Sequence, residues 1–419
     1  MSLILKNGTF IDYSSLEFTQ KDVIVSPERE TLIFSDYGEY QPEAGDQVAD
    51  CSGKYITHSF ADAFMRPGLS LAPKAKVFTK RETTYFRYVS DILWSVDKVL
   101  DKDLVYASAL YAAINAARNG TTFAICRNET SKFIDGSLAL VEKAFSEVGL
   151  STLQSFAACE ADGYAAAERA VNENAAYLSH NQGLMGIAAS YLASKELFEL
   201  VAQVCKEKNT GVLINAAEDN LDQINTMRDY RRNVVLRLYE TGLMDYQSTI
   251  LANANYIGDD ERSYIKNKPA WVAHNPVGNF RRGIRPFNSI WLDNILFGSD
   301  FSGVGMLEVM NQAYFESLAS DNDLSLQNVY KRLRAVHSYL NNNGFKGDAE
   351  NNLIVFDNNS PFNLTKDNFI KHLVYNRPAF EIKLVIAKGK ISVKNGHAVL
   401  IDEKEALKFI KEQADRITC

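Results

Sequence analysis

The stretch KYITHSFADAFMRPG, residues 54–68, decides the fold. It opens as an apolar run of strand length and carries a bulky aromatic and a cation, Phe64 and Arg66, to its end. Pro67-Gly68 then stops the strand. Seven further β-like runs follow: GTTFAIC (120–126), TLQSFAAC (152–159), LMGIAAS (184–190), TGVLINAAE (210–218), STILANAN (248–255), AWVAHNP (270–276) and NILFGSD (294–300). Helical stretches lie between them. DKDLVYASALYAAINAARNG has Ala and Leu at a 3.6-residue period and stops at Gly120, and ASKELFELVAQVCKEKNTG stops at Gly211. Eight β/α units is the number that closes a barrel, so the expected class is α/β, a (β/α)8 TIM barrel. Helices at 304–319 and 323–342 lead out of it.

Both ends of the chain read as short strands. LILKNGTFID alternates around an Asn-Gly turn, and DVIVS and ETLIFSD follow it. EIKLVIAKGKISVKNGHAVLID gives two more strands joined by a Lys-Gly turn, before a short closing helix. The termini are therefore expected to build a composite β-sandwich. The division is 1–60 for its N-terminal part, 61–370 for the barrel and 371–419 for its C-terminal part with the helix.

Composition bounds the partners. The 419 residues are 46% hydrophobic and 23% charged, enough for a large core, and the net charge of −7 argues against nucleic acid. Cysteines 51, 126, 159, 205 and 419 are odd in number and form no CxxC pair, which suggests a reduced, cytoplasmic protein. MSLILKNGTFID has no basic stretch followed by an apolar run, and no segment approaches the roughly 18 apolar residues of a membrane span. No membrane association is expected.

DCSGKYITHSFADAF, GTTFAIC, TGVLINAAED, STILANAN, WVAHNPVGN and LFGSD, in this order and spacing, resemble the amidohydrolase superfamily. The similarity is to the branch of cytosine and guanine deaminases, triazine chlorohydrolases and SsnA-like aminohydrolases, and it covers nearly the whole chain. It implies a divalent metal, usually zinc or iron, at the C-terminal mouth of the barrel. The ion would be held by a His-x-His pair after strand one, a His after strand five and an Asp after strand eight. It would lower the pKa of a bound water for attack on carbon, with a Glu as proton shuttle and a further His after strand six. Carried over residue by residue, Phe64 and Arg66 stand at the His-x-His pair, Asn215 at the strand-five His and Asn253 at the strand-six His. Asp300 remains as a ligand position and Glu218 as the shuttle. The resemblance thus makes Phe64, Arg66 and Asn215 vacated ligand positions, and no cofactor is expected. A buried carboxylate without its ion needs a partner, so the Arg66 guanidinium is expected in the metal position, paired with Asp300, Glu218 or both. Asn215 and Asn253 can satisfy neighbours without charge. Restoring histidine at 64, 66 and 215 together is expected to recover metal binding.

Other residues carry weaker signals. His274 in AHNP matches a family position near substrate. Arg281, Arg282 and Arg285 in NFRRGIRP suit either solvated surface or an anion site, with Arg281 the candidate contact for a carboxylate or phosphate. Cys126 beside Arg127 has no histidine near it in sequence to act as a base. His58, His180, His337, His372 and His397 read as structural or solvated. By descent the chain is a hydrolase of carbon–nitrogen, non-peptide bonds. It is expected to have lost the metal and to bind a small polar ligand or a partner. The alternative is an active hydrolase using a non-standard metal site, or metal-free acid–base chemistry through Glu218 and Asp300. A third reading is a structural or regulatory subunit, and a homodimer is expected.

Overall fold

Backbone pairing divides the strands into one mixed sheet and two parallel ones. The computed structural model describes residues 2–76, 84–301, 303–320 and 324–418. Both ends of the chain feed the mixed sheet. Leu3–Ile11 pairs antiparallel with Phe18–Val25 and parallel with Gln47–Asp50 and Tyr55–His58. Tyr55–His58 pairs antiparallel with Leu353–Asn358, which pairs with Phe380–Ala387, and that strand in turn with Lys390–Lys394. The Lys-Gly turn of that last hairpin is present, with Lys388 and Gly389 at φ 50° and 75°. This left-handed pair matches the twist of the strands it joins. Leu5, Val25, Ile56, Val355 and Ile386, each from a different strand of this sheet, meet in one buried cluster.

Two expectations change here. Asn7-Gly8 makes no hairpin: Leu3–Ile11 is one strand with a register shift between Leu5 and Gly8. Asn7 turns to φ 61° and donates its backbone N–H to Asp22 Oδ1 at 2.9 Å instead of to the ladder. A Cβ at Gly8 would come within 2.5 Å of Ile56 Cδ1, so glycine is needed for close approach rather than for a turn. Leu353–Asn358, inside the stretch 61–370, belongs to the mixed sheet. Its first four residues are all buried, so no alternation separates it from a strand of a parallel sheet. The composite unit from the two termini is one continuous nine-stranded sheet.

The eight internal runs all form. They are Phe60–Arg66, Thr121–Asn128, Ser151–Phe156, Met185–Ala189, Val212–Ala216, Ile250–Asn253, Trp271–His274, and Ile295–Phe297 continuing to Asp300–Phe301. Every pairing among them is parallel. The last run serves both parallel sheets, since Ile295–Phe297 pairs with the seventh run and Asp300–Phe301 with the first. Two isolated parallel bridges, Gln154 to Gly183 and Ala158 to Ile187, lie between the third and fourth. Phe123, Leu153, Leu213, Ile250 and Leu296 meet in one interior cluster, joined by Tyr339 of the helix Leu326–Asn342.

Two of the longer intervening helices start on side-chain caps. Asp101 accepts from Leu104 N and Ser194 from Leu197 N, each at 3.1 Å, at the heads of Lys102–Arg118 and Lys195–Lys208. Because all eight runs point the same way, their C-terminal ends gather Arg66, Asn215, Asn253 and Asp300 on one side. Cys51, Cys126, Cys159 and Cys205 are free thiols, and Cys419 lies outside the described residues. Among the described residues no helix is long and apolar enough to cross a membrane.

Candidate functional site

Four elements bring four charges to one point. Arg66 ends the first run, Glu218 follows the fifth, Asp300 opens the last pair, and Arg282 caps the helix Pro276–Arg281 after the seventh. Arg66 Nε lies 3.0 Å from Asp300 Oδ1, and its Nη2 3.8 Å from Glu218 Oε2. Arg282 Nη2 lies 2.5 Å from Glu218 Oε1, and its Nη1 donates to Asp300 Oδ2. None of the four side chains is more than 4% exposed. Two guanidiniums and two carboxylates sum to zero charge, the condition under which such groups can stay buried.

Neutral donors add to the shell around Glu218. The Tyr85 hydroxyl donates to Glu218 Oε2 at 2.5 Å, and Asn215 Nδ2 to the same oxygen at 3.1 Å. Behind them Asn275 Nδ2 donates to Asn253 Oδ1 at 2.9 Å and Asn253 Nδ2 to Asn215 Oδ1 at 3.4 Å. Amides from the seventh, sixth and fifth runs thus relay onto Glu218. Burial pushes the Asp300 carboxyl up, but Arg282 and Arg66 outweigh it and hold the group below the usual carboxylate range. Burial works against the charge on Arg66 and Arg282, and Asp300 and Glu218 reverse that for both. Burial, then Glu218, pushes the Tyr85 phenol well up, so it stays a donor.

The backbone is strained here. Ala217, Asn253, Ala254 and Asp300 all take positive φ, 49°, 73°, 50° and 62°. Each is a conformation costing a non-glycine residue about 1–3 kcal/mol, and such residues collect at functional sites. Gly278 serves close packing instead, since a Cβ there would lie 2.2 Å from Asp300 Oδ2. Only glycine lets the helix come close enough to deliver Arg282.

The divalent ion implied by the resemblance does not fit these residues. The chain offers a phenyl ring sunk in the interior core, a guanidinium and two carboxamides where imidazole nitrogens would be needed. Both oxygens of Asp300 already face guanidinium nitrogens. Beside Arg66 and Asn215, among the described residues, is a cavity of about 30 Å³. Ligand pockets begin at about 300 Å³.

The remaining candidates lie elsewhere. His274 is buried at the end of the seventh run, stacked on Phe287 at 4.7 Å, with Nε2 3.4 Å from Glu316 on the helix Met306–Ala319. Arg281 is half exposed and sits 3.9 Å from Glu308, outside the cluster, while Arg285 Nε donates to the Asn255 carbonyl at 2.7 Å. Arg282, next to the residue that the sequence favours, is the one turned inward. Burial, then Asp62, pushes the Cys126 thiol well above its usual range, which disfavours the thiolate a nucleophile needs. A larger cavity, about 350 Å³, opens beyond the second and third runs between Trp94, Asp97, Glu129, Phe156, Cys159 and Arg169.

Asp62, in the middle of the first run, gives a pH signature. It accepts from Phe64 N and Ser299 N at 3.0 Å each and from the Ser299 hydroxyl, yet burial pushes its carboxyl up to about 6. With a folded value above the unfolded 3.8, its contribution is fullest below about pH 4 and is lost as pH rises through 6. Asp62→Asn should therefore flatten the stability profile by about 2 kcal/mol between roughly pH 4.5 and 7. Urea unfolding at both pH values checks this, and parallel profiles for the two proteins would refute it.

No protein-family model matches the chain. A 5'-deoxyadenosine deaminase of Methanopyrus kandleri is 25% identical over 354 residues, covering 79% of this chain and 80% of that protein. A 5-methylthioadenosine/S-adenosylhomocysteine deaminase of Thermoanaerobacter pseudethanolicus is 22% identical over 446 aligned positions, 100% of this chain and 99% of that protein. An adenosine deaminase structure from Xanthomonas campestris, with bound zinc, superposes with a TM-score of 0.78 at 14% identity, over 99% of this chain and 98% of that one. The zinc complex of an atrazine chlorohydrolase from Arthrobacter aurescens does so with a TM-score of 0.79 at 14% identity, over 98% and 100%. At such identities the structural likeness speaks for the fold alone.

Proposed function

We propose that this chain, which belongs to the deaminase branch of the amidohydrolase superfamily, keeps the branch's architecture without metal-dependent hydrolysis and binds a small polar ligand. In this reading the eight parallel runs close into a (β/α)8 barrel. The shared run 295–301 seals one junction and the two isolated bridges the other, and the nine-stranded sheet folds over as the composite sandwich. One observation carries the reading: two buried guanidiniums, not one, engage Asp300 and Glu218.

Hydrolysis in such a barrel mouth needs a water acidified by a Lewis acid and a carboxylate free to take its proton. Here Glu218 is committed to Tyr85, Asn215 and the two arginines, and Asp300 to the arginines alone. Each carboxylate is held between two cations, with Glu218 Oε1 and Asp300 Oδ1 meeting them as ion pairs rather than through hydrogen bonds. Room for a ligand exists to the side, in the cavity between Trp94 and Asp97. That volume is within the range of small-molecule pockets. Burial, then Glu129, pushes the Asp97 carboxyl well up, which favours the protonated form that can donate to a polar ligand.

The test is turnover by the full chain supplied in turn with zinc, iron(II) and manganese. No ammonia release from 5'-deoxyadenosine or S-adenosylhomocysteine is expected above background. Release that disappears in Glu218→Gln would overturn the proposal.

A further inference from the structure

A second group of ligand-type side chains stands at the other ends of the strands, and we infer that His58, His337 and Asp348 form a buried site for one divalent first-row transition ion. His58 ends the strand Tyr55–His58, just before the first parallel run. His337 lies on the helix Leu326–Asn342, and Asp348 in the connection from that helix to Leu353–Asn358. The whole first run, on the order of 20 Å of extended chain, separates the group from Arg66. It is a different place from the charge cluster.

The three side chains offer one ligand atom each, all within 4.8 Å of one another. The two imidazole rings lie 4.4 Å apart, and His337 Nδ1 is 2.5 Å from Asp348 Oδ2. His58 is 6% exposed, and the side chains of His337 and Asp348 are 5% and 2% exposed. A His–Asp hydrogen bond accounts for one contact and leaves two buried atoms, His337 Nε2 and Asp348 Oδ1, without a partner. Burying such an atom without a partner costs the fold its desolvation. It also leaves unexplained why a second imidazole is brought against the first, the two rings tilted by 38°.

The donor set selects the ion. Two imidazoles and one carboxylate suit zinc, cobalt(II) or nickel(II), whereas magnesium and calcium require oxygen. Charge does not do the holding: only one carboxylate is present, and Arg334 is close by, its Nη1 bound to the carbonyls of His58 and Ser59 at 3.3 and 2.9 Å. Nitrogen coordination must do it. The Tyr13 ring packs edge-on against His58 at 4.9 Å and lies 5.7 Å from His337. A covered ion here would be structural, clipping the terminal sheet to the helix and connection that lead back to it.

The test uses the full chain stripped with chelator and titrated with zinc, then separately with copper(II). Stoichiometric zinc uptake and a raised unfolding temperature are expected, lost in His337→Gln and in Asp348→Asn and kept in Asp300→Asn. Copper resonance of the unsubstituted chain should show two nitrogen ligands, a readout that requires no variant to fold. Absence of zinc uptake, a copper spectrum without paired nitrogens, or uptake indifferent to both substitutions would each overturn the inference. Uptake lost only in Asp300→Asn would instead place an ion at the opposite strand ends and defeat the metal-free reading of that site.

Discussion

Arg282→Met should cost the chain about 3–5 kcal/mol, the penalty for removing one partner of a buried ion pair. Arg282 is the hinge of the cluster, touching Glu218 with one nitrogen and Asp300 with another. Without it Arg66 alone faces two buried carboxylates, and the pairing no longer sums to zero. Asp300 should feel this directly. Its carboxyl is held below the usual range, so its stabilising share is present above the unfolded value of 3.8 and lost as pH falls through the folded one. In the variant that share shrinks and the stability lost near neutral pH is recovered on acidification. Urea unfolding at neutral pH measures the loss, and Arg282→Met combined with Asp300→Asn should be less destabilised than the two single losses added together. A loss under about 1 kcal/mol, the value of an exposed pair, would mean that the cluster is not holding the strand ends. Lys74 and Asp415, both about half exposed, provide that exposed comparison.

The parallel runs were legible because each is a short apolar stretch, and the longer helices between them, such as Lys102–Arg118 and Lys195–Lys208, carry their own period and cap. Their limits moved by only a few residues between sequence and structure. The charge cluster was legible in part, because Phe64, Arg66, Asn215 and Asp300 each sit at a strand end and strand order fixes which ends are neighbours. Arg282 was not. Consecutive residues on a helix point about 100° apart, and a six-residue helix has no periodicity from which to phase Arg281 against Arg282. Gly278, whose missing side chain makes room for Asp300, carries the information, but only once the two are known to touch. Tyr85 reaches Glu218 across a wide gap in the chain, and no local spacing records it. The same holds for His58 and His337, which read singly as structural residues. Their proximity is a product of the nine-stranded sheet, where the strand after Asp348 returns to pair with the strand that ends in His58.

Phe64→His, Arg66→His and Asn215→His, installed together, are now expected to bind no zinc at the strand ends, contrary to what the sequence alone implies. The reason is the second guanidinium. The triple change removes Arg66 and supplies three imidazoles, but Arg282 still donates to Asp300 Oδ2 and sits 2.5 Å from Glu218. A dication entering there would meet a fixed positive charge that has already taken the one native ligand, and at about 4 Å two unscreened like charges repel by several kcal/mol. Adding Arg282→Ala to the triple should free Asp300 and convert no binding into stoichiometric zinc. The comparison is best made on an Asp348→Asn background, so that any ion at His58 and His337 is not counted. Equal zinc content in the triple and fourfold variants would show that Arg282 is no obstacle. Zinc binding there would then be governed by the residues at 64, 66 and 215 alone, with no part played by the neighbouring cation.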